Sequence, residues 1–350
     1  MLSLFMGMVL AQVPENASSE VGPATWTVWV GAEAGFEPQE YGLAGAWQFM
    51  RFYPENITIN AGDKIEWKLK SSELHTVTFQ PPGRAIPDLI IPENNSSNRL
   101  LLNPLVVLPQ GGPTYDGTAL TGSGQMDIHP GFAREYNLTF TNPGDFDYFC
   151  AFHSMMRGRV TVQPEGTPYP KTQEQIGLES AGLLSADMDA ALKAVPKAEN
   201  ISARPGTNGT IIHEVKMGYG DGFMAWMRFV PTNLTIQAGD SVEWTQGDAE
   251  APHTVSFLSG EEEPEVVLAE PQQMGPPKLV INPVMQMPAG GRVYSGEGYF
   301  NSGVFWGSEV PLPGPHSYLL TFDTPGNYTY ICIFHDYMGM IGQITVLPSA

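Results

Sequence analysis

The chain has 350 residues, 42% of them hydrophobic, which is enough for two cores of ordinary size. Only 15% of residues are charged, which excludes an acidic disordered tail, and 38 glycines with 31 prolines favour turns and strands over long helices. A formal charge of −20 argues against nucleic acid and anionic lipid surfaces as partners and favours a positively charged protein.

The N-terminal "MLSLFMGMVLAQ" is apolar and ends its run at Val9-Leu10-Ala11, a spacing that signal peptidase accepts, although no basic residue precedes it. Residues 1–11 are therefore expected to be a signal peptide, with a buried N-terminal strand as the alternative. No later segment reaches the ~18 to 20 apolar residues of a membrane span. Nine Asn-x-Ser/Thr sequons, among them Asn56, Asn137, Asn233 and Asn327, suit a secreted glycoprotein, but polar-apolar strand edges also produce them by chance. An extracytoplasmic protein is expected, whether secreted, periplasmic or at the cell surface.

Residues 12–163 read as β structure. "NITINAGDKIEWKL" alternates apolar and polar residues around Ala-Gly-Asp, a turn between two strands. Pro143-Gly144 marks the turn before a last strand that places Phe146, Tyr148 and Cys150 on one face. Residues 164–205 change character: Leu184, Met188, Ala191, Leu192 and Val195 fall at helical spacing, predicting a short amphipathic helix packed on one domain or bridging both. Residues 206–350 then repeat the first half. "WQFMRFYPENITINAGDKIEW" answers to "MAWMRFVPTNLTIQAGDSVEW", "HTVTF" to "HTVSF", "LNPLVVLPQGGPTYDG" to "INPVMQMPAGGRVYSG", and "NPGDFDYFCAFH" to "TPGNYTYICIFH". Two copies of an all-β Greek-key sandwich or barrel, joined by a short helical linker, are expected.

The repeat also selects the residues that carry chemistry. The only cysteines, Cys150 and Cys332, each precede a histidine by three residues, with methionines just beyond. They occupy equivalent points of two copies, which seldom touch, so a disulfide between them is disfavoured; two inert buried thiols are a second bland alternative. The third is a metal. One thiolate, two imidazoles and one thioether describe a trigonal copper site with a long axial sulfur, whereas zinc more often takes several cysteines or a tetrahedral Cys/His set. Each half holds that inventory: His75, Cys150 and His153 in the first, His253, Cys332 and His335 in the second. For the thioether, "MRGRVTV" and "MIGQITV" align Met156 with Met340, and leave Met155 and Met338 as ordinary apolar side chains.

At "PHTVSF … YICIFHDYMGMIGQITV" the second half resembles the plastocyanin-type members of the blue-copper cupredoxins, and "YFCAFHSMMRGRVTV" resembles the shorter ligand loop of the amicyanin type. The resemblance covers the start and end of each copy, roughly half the chain. It implies two type 1 copper ions, at His75, Cys150, His153 and Met156, and at His253, Cys332, His335 and Met340. It further implies an electron carrier rather than a catalyst. Two departures bear on the reduction potential: Thr76 and Thr254 stand where that family usually has Asn, and Phe152 and Phe334 where it usually has Pro.

A two-domain copper enzyme, related to nitrite reductases or multicopper oxidases, is the alternative. It requires further histidines, but Phe149 and Ile331 precede the cysteines, there is no His-x-His, and His129, His213 and His316 have no counterparts in the opposite copy. The second copy is the more acidic, at −11, and its "EEEPE" run at 261–265 is a candidate docking patch for a basic redox partner such as a cytochrome, with a solvated loop as the alternative.

Overall fold

The computed structural model describes residues 22–34, 46–93, 96–307, 310, 312 and 314–349; the signal-peptide expectation for residues 1–11 lies outside them. Two tandem cupredoxin-like β-sandwiches make up the molecule. In the first, a sheet containing Thr25–Ala34, Trp47–Tyr53, Lys64–Leu69 and Glu135–Phe140 faces one containing Asn56–Asn60, Arg157–Gln163, Gly144–Phe149 and Thr78–Phe79. The second repeats this with Ile211–Met217, Ser241–Gln246 and Ser317–Phe322 against Asn233–Gln237, Ile341–Leu347, Gly326–Ile331 and Ser256–Phe257. Period-two alternation places Ile65 and Trp67 in one core and Val242 and Trp244 in the other, each indole surrounded by aromatic rings.

The Ala-Gly-Asp turns show how closely the copies correspond. Gly62 and Gly239 take φ of +95° and +100°, a region glycine enters without steric cost. Asp63 then accepts from the backbone N–H of Asn60 and Ala24 and from the Trp26 indole. Asp240 accepts from the N–H of Gln237 and Ile211 and pairs with the His213 ring at 3.3 Å. His213 thus occupies the structural place of Trp26, tying the first strand of its sandwich to this turn.

The shared "NP…GG…Y-x-G" stretch has a structural role as well. Asn103 and Asn282 cap the single-turn helices Pro104–Val107 and Pro283–Gln286. Tyr115 and Tyr294 return to the cores against Phe79 and Phe257. Ahead of this stretch, between the first histidine and the cysteine of each copy, lies an added hairpin: Ile90–Glu93 with Ser96–Leu102, and Val267–Glu270 with Lys278–Ile281. Leu101 pairs with Val280, so the two hairpins form one four-stranded sheet spanning both halves. Arg99 bridges Glu93 and Glu270, and Lys278 also reaches Glu93.

The helix between the sandwiches runs for 26 residues, Gln173–Ala198, and opens on a capping box made by Thr172 and Gln175. It packs on both halves: Ala191, Ala194 and Ala198 join Trp47, Phe49, Met224 and Trp226 in a cluster made from both. Tyr53 donates to Asp187 at 2.7 Å, and Arg51 donates to the same carboxylate. Met224–Trp226 adds an antiparallel strand to the edge of the first sandwich, and Trp226 stacks on Trp47 at 5.1 Å and 11°. No helix of the described residues is long and apolar enough to cross a membrane. Trp226→Ala removes the stacked pair and leaves a cavity where the halves meet; a loss of about 3–5 kcal/mol is expected in denaturant unfolding. A loss below about 1 kcal/mol would show that this contact contributes little to the fold.

Candidate metal centres

Each sandwich gathers one cysteine and two histidines at one end. His75, which precedes Thr78–Phe79, meets Cys150, at the end of Gly144–Phe149, and His153 in the loop that follows; His253, Cys332 and His335 repeat the arrangement. All six side chains are buried. In the first group the Cys150 sulfur lies 3.7 Å from His75 Nδ1 and 3.4 Å from His153 Nδ1, and the two nitrogens are 3.2 Å apart. In the second the corresponding separations are 3.7, 3.5 and 3.2 Å. Both cysteines are free.

These separations fit a bound ion. Two nitrogens and a sulfur at metal bond lengths of about 2.0 to 2.3 Å, as for zinc, stand roughly 3.3 to 3.8 Å apart. The soft thiolate with two imidazoles is the donor set copper prefers. Without a cation, two ring nitrogens would face each other in a dry interior at hydrogen-bond distance, with only one proton able to lie between them.

The backbone fixes the loops the same way in both groups. The Cys150 N–H donates to Met156 O and the Met156 N–H to His153 O; Cys332, Met340 and His335 repeat both bonds. Met156 and Met340 are buried beside their cysteines, in equivalent positions. Met338 is also buried, but it packs with the core of the opposite half, whereas Met155 is 44% exposed rather than packed away. Met155 sits where its loop meets the other half, so that a Cβ at Gly222 would lie 3.1 Å from its Cγ.

The threonines that follow the first histidines brace each cysteine. The Thr76 N–H donates to the Cys150 sulfur at 3.3 Å, and its hydroxyl accepts from the Ala151 N–H at 2.8 Å. Thr254 does the same for Cys332 and Ile333, at 3.4 and 2.9 Å. Sequence reasoning missed Gly31 and Gly218. Each has φ of +64°, and a Cβ on either would lie 2.4 Å from Nε2 of His75 or His253. A glycine at the matching position of each half, Gly31 within Thr25–Ala34 and Gly218 directly after Ile211–Met217, was the available signal.

Beyond the ligand atoms the groups differ. His75 Nε2 meets the Ser71 hydroxyl at 3.2 Å. Asp248 stands in the corresponding place of the second half, but its Oδ1 accepts from the N–H of Glu250 and Ala251, and His253 Nε2 has no hydrogen-bond partner among the described residues. Burial pushes the Asp248 carboxyl up to about 6. Side chains beside the groups also reach across between the halves. Glu73, from the first half, lies 3.5 Å from His335 Nε2, and Glu250, from the second, accepts from Ser154 Oγ and the Met155 N–H. Tyr337 donates to Ser72 O at 3.1 Å and meets the His129 ring edge-on at 4.8 Å. His129 also bonds Asp127, His213 bonds Asp240, and His316 is exposed; among the described residues none of the three joins either metal-like group.

Charge inside the groups is set by these contacts. Burial opposes the Cys150 thiolate, yet His153 and His75 outweigh it and hold the thiol well below its usual value. Burial likewise opposes the imidazolium of His153, but Cys150 and the carboxylates of Glu73 and Glu250 hold it up at about 9. His335 is held at about 10 against burial by Cys332 and Glu73. His75 and His253 are depressed, chiefly by burial.

Known proteins resemble this chain in sequence. The family model of copper binding proteins of the plastocyanin/azurin family matches residues 40–163 and 307–347. A plastocyanin of Scenedesmus fuscus is 32% identical over 132 residues, covering 38% of this chain and 96% of the relative. The chloroplastic plastocyanin of Tetradesmus obliquus is 32% identical over 134 residues, and the match spans 65% of its length. Among solved structures, oxidised plastocyanin of Dryopteris crassirhizoma aligns at 20% identity over 39% of this chain and 99% of its own, with a TM-score of 0.21. A reduced amicyanin variant aligns at 21% identity over 40% and 82%, with a TM-score of 0.22.

Two measurements follow. At neutral pH the rings of His153 and His335 each carry a proton that a metal must displace, so Zn²⁺, a redox-silent probe, should release protons on binding. Its affinity should rise with pH until about 9 to 10 and fall on acidification; binding without proton release would contradict these charge states. Gly31→Ala should weaken metal uptake by the first group about tenfold and spare the second, and Gly218→Ala should do the reverse, read by titration.

Proposed function

Because this chain belongs to the plastocyanin/azurin family of copper-binding proteins, we propose that it is an extracytoplasmic electron carrier with one type 1 copper in each half. His75, Cys150, His153 and Met156 would hold the first ion, and His253, Cys332, His335 and Met340 the second. The observation that carries this reading is the pair of dry His–Cys–His groups in equivalent places, each with a buried methionine closing its loop. Bound copper supplies a one-electron Cu(II)/Cu(I) couple.

The residues of the chain do the rest. Thr76 and Thr254 fix the cysteine sulfurs, Gly31 and Gly218 admit the first histidines, and the backbone bonds of Met156 and Met340 lock the loops. Ligand atoms held this firmly move little when an electron arrives or leaves, and the buried setting excludes water from them.

The partners proposed are redox proteins with basic surfaces. Glu261, Glu262 and Glu265 are exposed, and Glu263 lies against Asp336, the residue after His335; burial and then this carboxylate raise Glu263 to about 7. A negative patch at the edge of the second ligand loop would steer a cationic protein there, and its association should weaken as salt is added.

Copper per chain and the visible spectrum of the oxidised protein test the reading directly. Two coppers with an intense thiolate-to-copper band are expected, half of it lost in Cys150→Ser and the other half in Cys332→Ser. Copper well above two, with the excess surviving both substitutions, would favour a two-domain copper enzyme with a further ion at a domain interface. A colourless copper-loaded protein would sink the assignment.

A further inference from the structure

Both loop histidines are covered. His153 is 4% exposed and His335 is 3% exposed, and the covering surface in each case includes the opposite half. What reaches the His335 ring is a carboxylate. Glu73 is 6% exposed; its Oε1 accepts from the Leu74 N–H at 3.1 Å, and its Oε2 faces His335 Nε2 at 3.5 Å. Among the described residues that second oxygen has no closer polar partner, and the His335 ring is the cation that pairs with it. At that distance the contact is an ion pair, long for a hydrogen bond.

We propose that Glu73 is a positioning residue for the metal group of the other half, accepting from His335 Nε2–H and thereby fixing Nδ1 as the nitrogen turned to the metal. A carboxylate behind a ligating imidazole sets its tautomer and raises its basicity. Here that carboxylate comes from the first sandwich, so the second group is complete only when the two halves are docked. The reciprocal contact differs in kind, because Glu250 meets Ser154 Oγ and the Met155 N–H rather than a ring nitrogen. Glu73 is also anchored two residues before His75, in the loop whose Ser72 carbonyl accepts from Tyr337. Its place is therefore set from both sides of the interface.

The inference rests on the copper reading and has an electrostatic consequence. Cu(II) with one thiolate keeps a net positive charge, and Cu(I) with one thiolate keeps none. A buried carboxylate behind His335 therefore stabilises the oxidised state more and lowers the reduction potential of the second centre.

The test uses the full chain in two single-colour backgrounds: Cys150→Ser, where only the second centre absorbs, and Cys332→Ser, where only the first does. Glu73→Gln is added to each, and the midpoint potential and Cu(II) affinity are measured. In the Cys150→Ser background Cu(II) affinity should fall about tenfold. If Cu(I) binding is unchanged, that is a rise of about 59 mV in potential. In the Cys332→Ser background the shift should be much smaller, although Glu73 is far nearer in sequence to the ligands of the first group. Equal shifts, a larger shift at the first centre, or none would overturn the role of Glu73 while leaving the copper reading intact. No coloured centre in either background would overturn both. Should Glu73→Gln fail to fold, the Cu(I)-loaded wild type gives the same answer by nuclear magnetic resonance. A slowly exchanging Nε2–H on His335 is expected, and a ring bare at Nε2, or exchanging as fast as exposed His129, would overturn the proposal.

Discussion

The structure is organised around an arrangement that a protein interior does not favour. In each half two imidazole nitrogens are 3.2 Å apart with a sulfur beside them, in a buried setting where unpaired polar atoms are costly. A soft cation among them turns repulsion into bonding, and the rest of each sandwich keeps that space open and in shape. The first histidine comes from one strand, the cysteine from the end of another, and the second histidine from the loop between the last two strands. Two separate segments must therefore hold their positions at once. The Ala-Gly-Asp turns, the aromatic cores and the threonine braces are the means by which they do so.

Much of this is legible in the sequence because the defining signals are local or repeated. Cys-x-x-His places two ligand types in one loop, and the second copy shows which surrounding residues keep step with them. The two-sandwich fold and the family follow from the same repeat. The first strands were harder to match, because Trp26 and His213 do the same work with different side chains and residues of unlike type carry no visible correspondence. Glu73, Ser71 and Asp248 were not legible at all. Glu73 is one of 37 acidic residues, and nothing in its neighbours announces that it lies against a histidine 262 positions later. The hairpins before the "NP…GG" stretches belong to the same class, since their pairing across the halves depends on tertiary contact rather than periodicity.

The duplication has not kept the two centres alike. Ser71 bonds the outer nitrogen of His75, while Asp248, in its place, bonds the backbone and leaves His253 Nε2 without a partner among the described residues. One interface glutamate faces a ring and the other a hydroxyl and an amide. The ring nitrogens and the sulfur of each group match in type and spacing, and the differences in contacts lie in the layer behind them. That layer sets charge and hydrogen bonding while leaving the ligand geometry alone.

The 26-residue helix has a further consequence. At 1.5 Å per residue it spans about 39 Å, and it is packed against strands from both halves along the way. Tethered in this manner, the two sandwiches dock as parts of one chain, an intramolecular event rather than a bimolecular one. The part of the joining surface near the His–Cys–His groups can therefore carry glutamate, serine and tyrosine, without matching the affinity that two separate chains would need to stay together. Covalent continuity, together with the apolar cluster around Trp47 and Trp226, is what permits charged side chains beside the two His–Cys–His groups.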